Sequence, residues 1–326
     1  MKKLWFGGAV ALFGMVAMAA DFDPYIGRWA LTIPGGGAGW LGVEQQNGQL
    51  KSSLLWGGGS VMPMPETKMA DGKLQVIRKH GRKENGQNVT WIETITATLD
   101  GDNMKLTTRT VDQDGKERGK ADFTGKRIPA LPPAPDLTKI KFGTPIQLFK
   151  KDSIEGWELM NKNAANGWSM KDGVLSNRVK GPDGKRRHCT NIKTTANFED
   201  FNLKTDVRML PGGNSGIYLR GIYEIQMADT YGQPRDSHHM GGLYSRVTPS
   251  VAAEKPAGEW QTVDITLCDR HVTVILNGQK IIDNQPCLGC TGGALTSDEF
   301  KPGPIYLQGD HTDVDYRNMV LTPIVK

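Results

Sequence analysis

"EWQTVDITLCDRHVTVILNGQKII", Glu259 to Ile282, holds two runs that alternate apolar and polar residues and lead into Asn277-Gly278. Alternation with a period of two marks a half-buried strand. Asn-Gly supplies the positive φ that a two-residue hairpin turn requires. The stretch therefore predicts antiparallel β structure, and its neighbours agree. In "FNLKTDVRM", Phe201 to Met209, Leu203, Thr205, Val207 and Met209 face one way while Lys204, Asp206 and Arg208 face the other.

Further out, Tyr25 to about Arg127 reads as a meander of short strands. Asn47-Gly48, Asp71-Gly72, Asn85-Gly86, Asp100-Gly101 and Asp114-Gly115 punctuate it. Forty glycines and eighteen prolines, with no convincing amphipathic helical pattern, predict an all-β protein. Regular turns at this spacing make a small antiparallel barrel or sandwich. The opening Gly27-Arg28-Trp29 is similar to the G-x-W start of calycin barrels, and Trp29, Trp40, Trp56 and Trp91 fit a core better than a row of sugar platforms.

"PALPPAPDLTKIKFGTP", Pro129 to Pro145, cannot sustain a ladder because proline lacks the donor, so it reads as a stiff linker. The chain thus divides into residues 1–20, 21–128, 129–145 and 146–326. About 180 residues of strands in the last part predict two stacked sheets, a jelly-roll sandwich. Residues 1–20, "MKKLWFGGAVALFGMVAMAA", follow signal-peptide grammar and predict a secreted or periplasmic protein. Nothing else in the chain resembles a membrane span.

Removing Lys2 and Lys3 lowers the formal charge from +5 to +3, too mild a balance for nucleic acid. The basic runs Arg78 to Lys83 and Lys185 to His188 read as solvated loop tips. Cys189, Cys268, Cys287 and Cys290 all lie in the second half, and an exported chain can oxidise them, so a disulfide is expected over a zinc site. Oligomeric state is not legible.

"NSGIYLRGIYEIQMADTYG", Asn214 to Gly232, carries unusual polarity for a buried strand. Ile217, Leu219, Tyr223, Ile225 and Met227 form one face; Tyr218, Arg220, Ile222, Glu224 and Gln226 form the other. Gly221 marks a bulge or break that would re-aim Arg220. An exposed face with a cross-strand ion pair explains the pattern as simply as a binding face does. Three loops favour binding: "DSHHMGGLYS" with His238 and His239, "LQGDH" with Asp310 and His311, and "DYRNM" with Arg317.

Together with "MGGLYSRVTPSVAAEKPAGEWQTVDITL", "VTVILNGQKIIDN" and "GPIYLQGDHTDVDYRNM", the polar strand resembles the DUF1080 family of 3-keto-disaccharide hydrolase or 3-keto-glycoside hydrolase/lyase domains. The resemblance covers about residues 146–324 and leaves out the N-terminal part. It implies a concanavalin A-like, laminin G-like sandwich and a carbohydrate substrate already oxidised at C3. The ketone acidifies the C2 proton, so a base can remove it and the C1 substituent can leave by β-elimination, with hydration completing a net hydrolysis. Laminarinase-type sandwiches place carboxylates as E-x-D-x-x-E or E-x-D-x-E, whereas this chain reads "EIQMAD", which disfavours a two-carboxylate glycosidase.

The resemblance implies catalytic roles for Glu224, His311 and Asp229, with Asp229 also suited to capping the turn before Tyr231. It implies substrate contacts for Arg220, Gln226, His238, Arg317 and Asn214. A divalent cation on Glu224, Asp229 or a histidine would suit the enediolate, although no ligand spacing demands one. Where the family pattern reads "LQDHG", this chain has "LQGDH". The added glycine shifts His311 by one position, reversing its strand face unless the turn absorbs it, and leaves Asp310 as a substitute. Two other readings stand beside the enzyme: a non-catalytic carbohydrate-binding sandwich, and a functional barrel with the sandwich as its interaction module.

Overall fold

The computed structural model of the chain describes residues 23–84 and 87–325, so the expected signal peptide at 1–20 lies outside the described residues. Apart from one 3-10 turn at Asp23–Tyr25, the described elements are all strands. Nine of them, from Gly27–Thr32 to Glu117–Ile128, form one antiparallel sheet in which successive strands pair as hairpins, except Met62–Pro63 and Glu66–Ala70 at its two ends, and the first strand pairs with the last. The sheet curls until Gln49–Trp56 meets Glu66–Ala70, where Ser52 Oγ and Thr67 Oγ1 lie 2.6 Å apart. The result is a barrel filled by Trp29, Leu31, Leu41, Leu74, Ile95 and Met104. Trp29 and Trp40 are buried, whereas Trp56 and Trp91 are only partly so. Arg78 lies over the Trp56 ring and His80 stacks on Trp91.

Residues beyond 140 make a sandwich. One sheet runs Trp168–Lys171, Val174–Asn177, Val314–Val325, Phe201–Met209, Trp260–Cys268, His271–Leu276 and Gln279–Pro286, with two short strands at 141–142 and 146–147 added to Val314–Val325. The hairpin expected at Asn277-Gly278 forms, with φ of 51° and 81° and Leu276 paired to Gln279. A second tight turn precedes it at Asp269-Arg270, where both residues take positive φ and Cys268 pairs with His271. The facing sheet has five strands in the order Trp157–Leu159, Ile192–Thr194, Tyr306–Leu307, Asn214–Leu219, Tyr223–Ala228. Ile217, Leu219, Ile225 and Met227 from this sheet pack against Leu203, Val207, Ile265 and Val274 from the other in one core.

The same core takes in Ala38, Trp40, Leu55 and Ile128 of the barrel. Arg246 of the sandwich sits 4.2 Å from the Trp40 ring centroid, a stacked cation at the seam. Ser297 Oγ donates to the Leu31 carbonyl across the same seam at 2.9 Å.

The expected disulfide does not form: the four cysteines remain thiols. Their sulfurs serve separate packing sites. Cys189 approaches the Arg178 carbonyl at 3.6 Å and Cys290 approaches the Gly39 carbonyl at 3.7 Å. Burial pushes the Cys290 thiol up to about 12, against the nearby Arg246 charge, so it stays protonated at neutral pH.

Candidate active site

The polar stretch is two strands, not one. Asn214–Leu219 and Tyr223–Ala228 form a hairpin whose turn runs through Arg220 (φ 56°) and Gly221 (φ 66°), closed by Ile222 N–H donating to the Leu219 carbonyl at 3.0 Å. The fold-back sets Tyr218 directly opposite Glu224, and Gly216 opposite Gln226. Because Tyr306 pairs with Tyr218, Lys193 with Tyr306 and Glu158 with Lys193, one face of the sheet carries the row Glu158, Lys193, Tyr306, Tyr218, Glu224. Lys193 and Glu158 are bridged at 2.9 Å, and the Tyr218 and Tyr306 rings stack with centroids 4.0 Å apart.

Glu224 is the centre of this face. Its residue is 3% exposed, and its carboxyl lies over Gly216, where a Cβ would fall 2.2 Å from Oε1. Glycine at 216 is therefore required by the carboxyl rather than by backbone conformation. Gln226 stands on one side of Gly216, and Gln308, whose N–H donates to the Gly216 carbonyl at 3.0 Å, stands on the other. Both carry a buried amide oxygen with no hydrogen-bond partner. Gln226 Nε2 donates to Asn214 Oδ1 at 3.3 Å. Unpaired buried acceptors are costly and call for a donor, for which sugar hydroxyls qualify.

Burial raises the Glu224 carboxyl to about 8, with the Tyr218 hydrogen bond acting against the shift and the Asp310 charge adding to it. The hydrogen bonds agree with a protonated carboxyl. Tyr218 Oη lies 2.9 Å from Glu224 Oε2 and 2.7 Å from the Gly292 carbonyl. A phenol has one proton and cannot donate to both. If Glu224 keeps its own proton, it donates to Tyr218, Tyr218 donates to Gly292, and every acceptor in the chain is served.

At the margin, Asp310 and His311 are about half exposed and bonded to each other at 2.7 Å. The Asp310 hydrogen bond raises the His311 pKa against the effect of burial. Asn191 Oδ1 accepts from the Gly309 and Asp310 N–H groups, and Asn191 Nδ2 donates to Tyr306 Oη at 3.1 Å, tying the turn to the tyrosine stack. The strand ends at Leu307, so the turn absorbs the added glycine, and a Cβ at Gly309 would strike the Trp168 ring at 2.5 Å. Asp310 is the residue whose charge reaches Glu224 and Tyr306.

Of the expected site residues, the fold gathers Glu224, Gln226 and Asn214 on one face with His311 at its edge. It does not gather the others. Arg220 points away from the hairpin tip and donates to the carbonyls of Glu299 and Lys301. Arg317 lies on the opposite sheet, bonded to Asp206 at 2.9 Å and stacked over Trp260. Asp229 Oδ2 accepts from Gly212 N–H and so braces the 211–213 turn. His238 bridges Asp236 and Ser60 of the barrel. The sequence places Tyr218 on the Glu224 face without a role and offers no role for Tyr306, Gln308 or Asn191; the parity of Tyr306 with Gln308 is the available signal. Among the described residues, the side chains near enough to share a cation are Asp200, Cys268 and Asp269, at one end of the other sheet and apart from Glu224.

Residues 144–322 match the family described as the 3-keto-alpha-glucoside-1,2-lyase-like domain. The chain belongs to this family. The 3-keto-alpha-glucoside-1,2-lyase-like part is the sandwich, with the whole Glu224 face inside it, and its function is glycoside-acting. No curated protein matches the chain. Among solved structures, the chain is similar to a provisionally assigned glycosyl hydrolase from Parabacteroides distasonis ATCC 8503, with 21% identity, TM-score 0.45, and coverage of 56% of this chain and 94% of that one. A second such protein from the same organism shows 26% identity, TM-score 0.43 and coverage of 60% and 93%. A β-glucanase from Bacillus licheniformis shows 13% identity, TM-score 0.38 and coverage of 56% and 98%.

Proposed function

We propose that the chain is an exported enzyme that cleaves 3-keto-glycosides by removal of the C2 proton and β-elimination of the C1 substituent, with water adding afterwards for net hydrolysis. One observation carries this reading: a buried carboxyl raised to about 8 shares its sheet face with two unpaired amide acceptors. A carboxyl that is protonated at neutral pH is suited to donate a proton, not to attack a sugar. Glu224 gives its proton to the departing glycosidic oxygen. The Asp310–His311 pair takes the proton from C2, and the C2–H electrons form the C1=C2 double bond as the C1–O bond breaks. Gln226, Gln308 and Asn214 hold ring hydroxyls. A stable oxocarbenium ion is not needed, so a second carboxylate opposite Glu224 is not needed either.

The test is incubation with a 3-keto-glucoside and, in parallel, with the parent glucoside. Aglycone release from the keto form alone, lost in Glu224→Gln, is the expected result. Binding of the keto sugar with no release would instead make the sandwich a carbohydrate-binding module, and cleavage of the parent glucoside would contradict the elimination route.

A further inference from the structure

Glu224 is held at its backbone by two segments, and the barrel grips both. Its N–H donates to Thr291 Oγ1 at 2.9 Å, and its carbonyl accepts from Tyr244 N–H at 2.9 Å. The first segment meets the barrel at Gly57–Gly59. Gly293 N–H donates to the Gly57 carbonyl at 3.1 Å, and Gly292 is packed so closely that a Cβ there would fall 2.0 Å from the Gly59 oxygen. The second segment meets it one step later in the chain: Ser60 Oγ is 2.8 Å from His238 Nε2, and Val61 N–H donates to Ser245 Oγ at 2.9 Å. His238 in turn abuts Tyr244 edge-on at 4.8 Å.

The grip reaches the proton chain described above, because the Gly292 carbonyl competes with Glu224 for the Tyr218 proton. The titratable groups that bear on Glu224 are Tyr218 and Tyr306 from the adjoining strands, Tyr316 from the opposite sheet and Asp310 from the neighbouring turn. None belongs to the barrel. Among the described residues, the barrel's contacts with the site run through the position of Gly292 and the two backbone anchors.

We propose that the barrel is a positioning module of the Glu224 site: its Gly57–Val61 segment holds the Gly292 carbonyl against the Tyr218 hydroxyl and so fixes which partner receives the Tyr218 proton. Gly57, Gly59, Ser60 and Val61 are positioning residues and touch no reacting atom. If the segment is withdrawn, Gly292 relaxes, Tyr218 turns its proton to Glu224, and a hydrogen bond to the charged form lowers the carboxyl's pKa. The assignment rests on Glu224 being the proton-transfer carboxyl of the proposed reaction.

The test titrates Glu224 without substrate, in the full chain labelled with carboxyl-13C glutamate, with Glu224→Gln identifying the resonance. Deletion of Gly58, an exposed glycine of the barrel loop outside the sandwich, shortens the reach to Gly292. Gly292→Ala separates the same surfaces from the other side. Each is expected to lower the Glu224 midpoint by about one unit. A barrel that serves only as adhesive predicts lower thermal stability with the midpoint unmoved, and that result in a folded variant overturns the proposal. Should Gly292→Ala fail to fold, the Gly58 deletion decides alone. Absence of keto-glycoside turnover in the unaltered chain would count against the reaction and leave the titration result to stand by itself.

Discussion

The barrel and the sandwich each bury a glutamate on a sheet face, and they treat it in opposite ways. In the barrel, burial of Glu93 would raise its pKa, but Arg78, Thr108 and His80 all bond its carboxylate and together bring the value below the usual range. In the sandwich, Glu224 has one phenol and a nearby aspartate charge, and its value rises to about 8. Both carboxyls are hidden from water, so burial alone does not distinguish them. The number and charge of the donors does: a carboxylate saturated by a guanidinium and two further donors is a structural joint, whereas one left with a shared phenol retains a proton it can give away.

The sharpest break between the two is chemical. Glu224→Gln should cut keto-glycoside turnover by about a thousandfold while leaving the melting temperature near its original value, because glutamine keeps the shape and a donor toward Tyr218. Glu93→Ala should do the reverse. It strands Arg78 in the barrel interior and is expected to cost about 3 kcal/mol in denaturant unfolding, with turnover per folded molecule unchanged. Gly216→Ala sharpens the comparison within the site, since its methyl group occupies the space of Glu224 Oε1. A fall in turnover of about tenfold to a hundredfold, with substrate affinity less affected, is the expected kinetic outcome.

Stability against pH should show opposite signatures. The Glu224 pKa is raised in the folded state, so its contribution is fully present below its ordinary value near 4.5 and is lost as pH rises through about 8. The Glu93 pKa is lowered, so its contribution is present above its ordinary value and is lost as pH falls through the depressed folded value. Unfolding free energies measured from acid to alkaline pH should therefore lose the decline between about 4.5 and 8 in Glu224→Gln and part of their acid slope in Glu93→Gln. On the Glu224 midpoint itself the smallest expected effect belongs to Asp310→Asn, which removes a like charge and should lower it by a few tenths of a unit.

Much of the architecture was legible from alternation and turns. Asn277-Gly278 announces its hairpin because asparagine and glycine tolerate positive φ, and Leu203, Val207 and Met209 declare the buried face of their strand by spacing alone. The sequence signals a bulge or break at Gly221 but not that it is a hairpin turn with Arg220 in it, since an arginine at positive φ has no sequence signature. That one turn changed the site, sending Arg220 to the Glu299 and Lys301 carbonyls and bringing Tyr218 opposite Glu224. Arg317 sits in a motif that ends beside the site in sequence but continues into the other sheet, a placement that depends on long-range pairing. The Glu93 joint was missed for the same reason: its partners lie 13 to 15 residues away and meet only across strands.

The central claim is that Glu224 works as a protonated acid, and the dependence of kcat/KM on pH tests it most directly. With a 3-keto-glucoside as substrate, the account predicts a rate that falls as pH rises through about 8, and a Glu224→Gln variant whose residual rate lacks that alkaline limb. A rate that climbs through the same range, or an identical limb in Glu224→Gln, would contradict it.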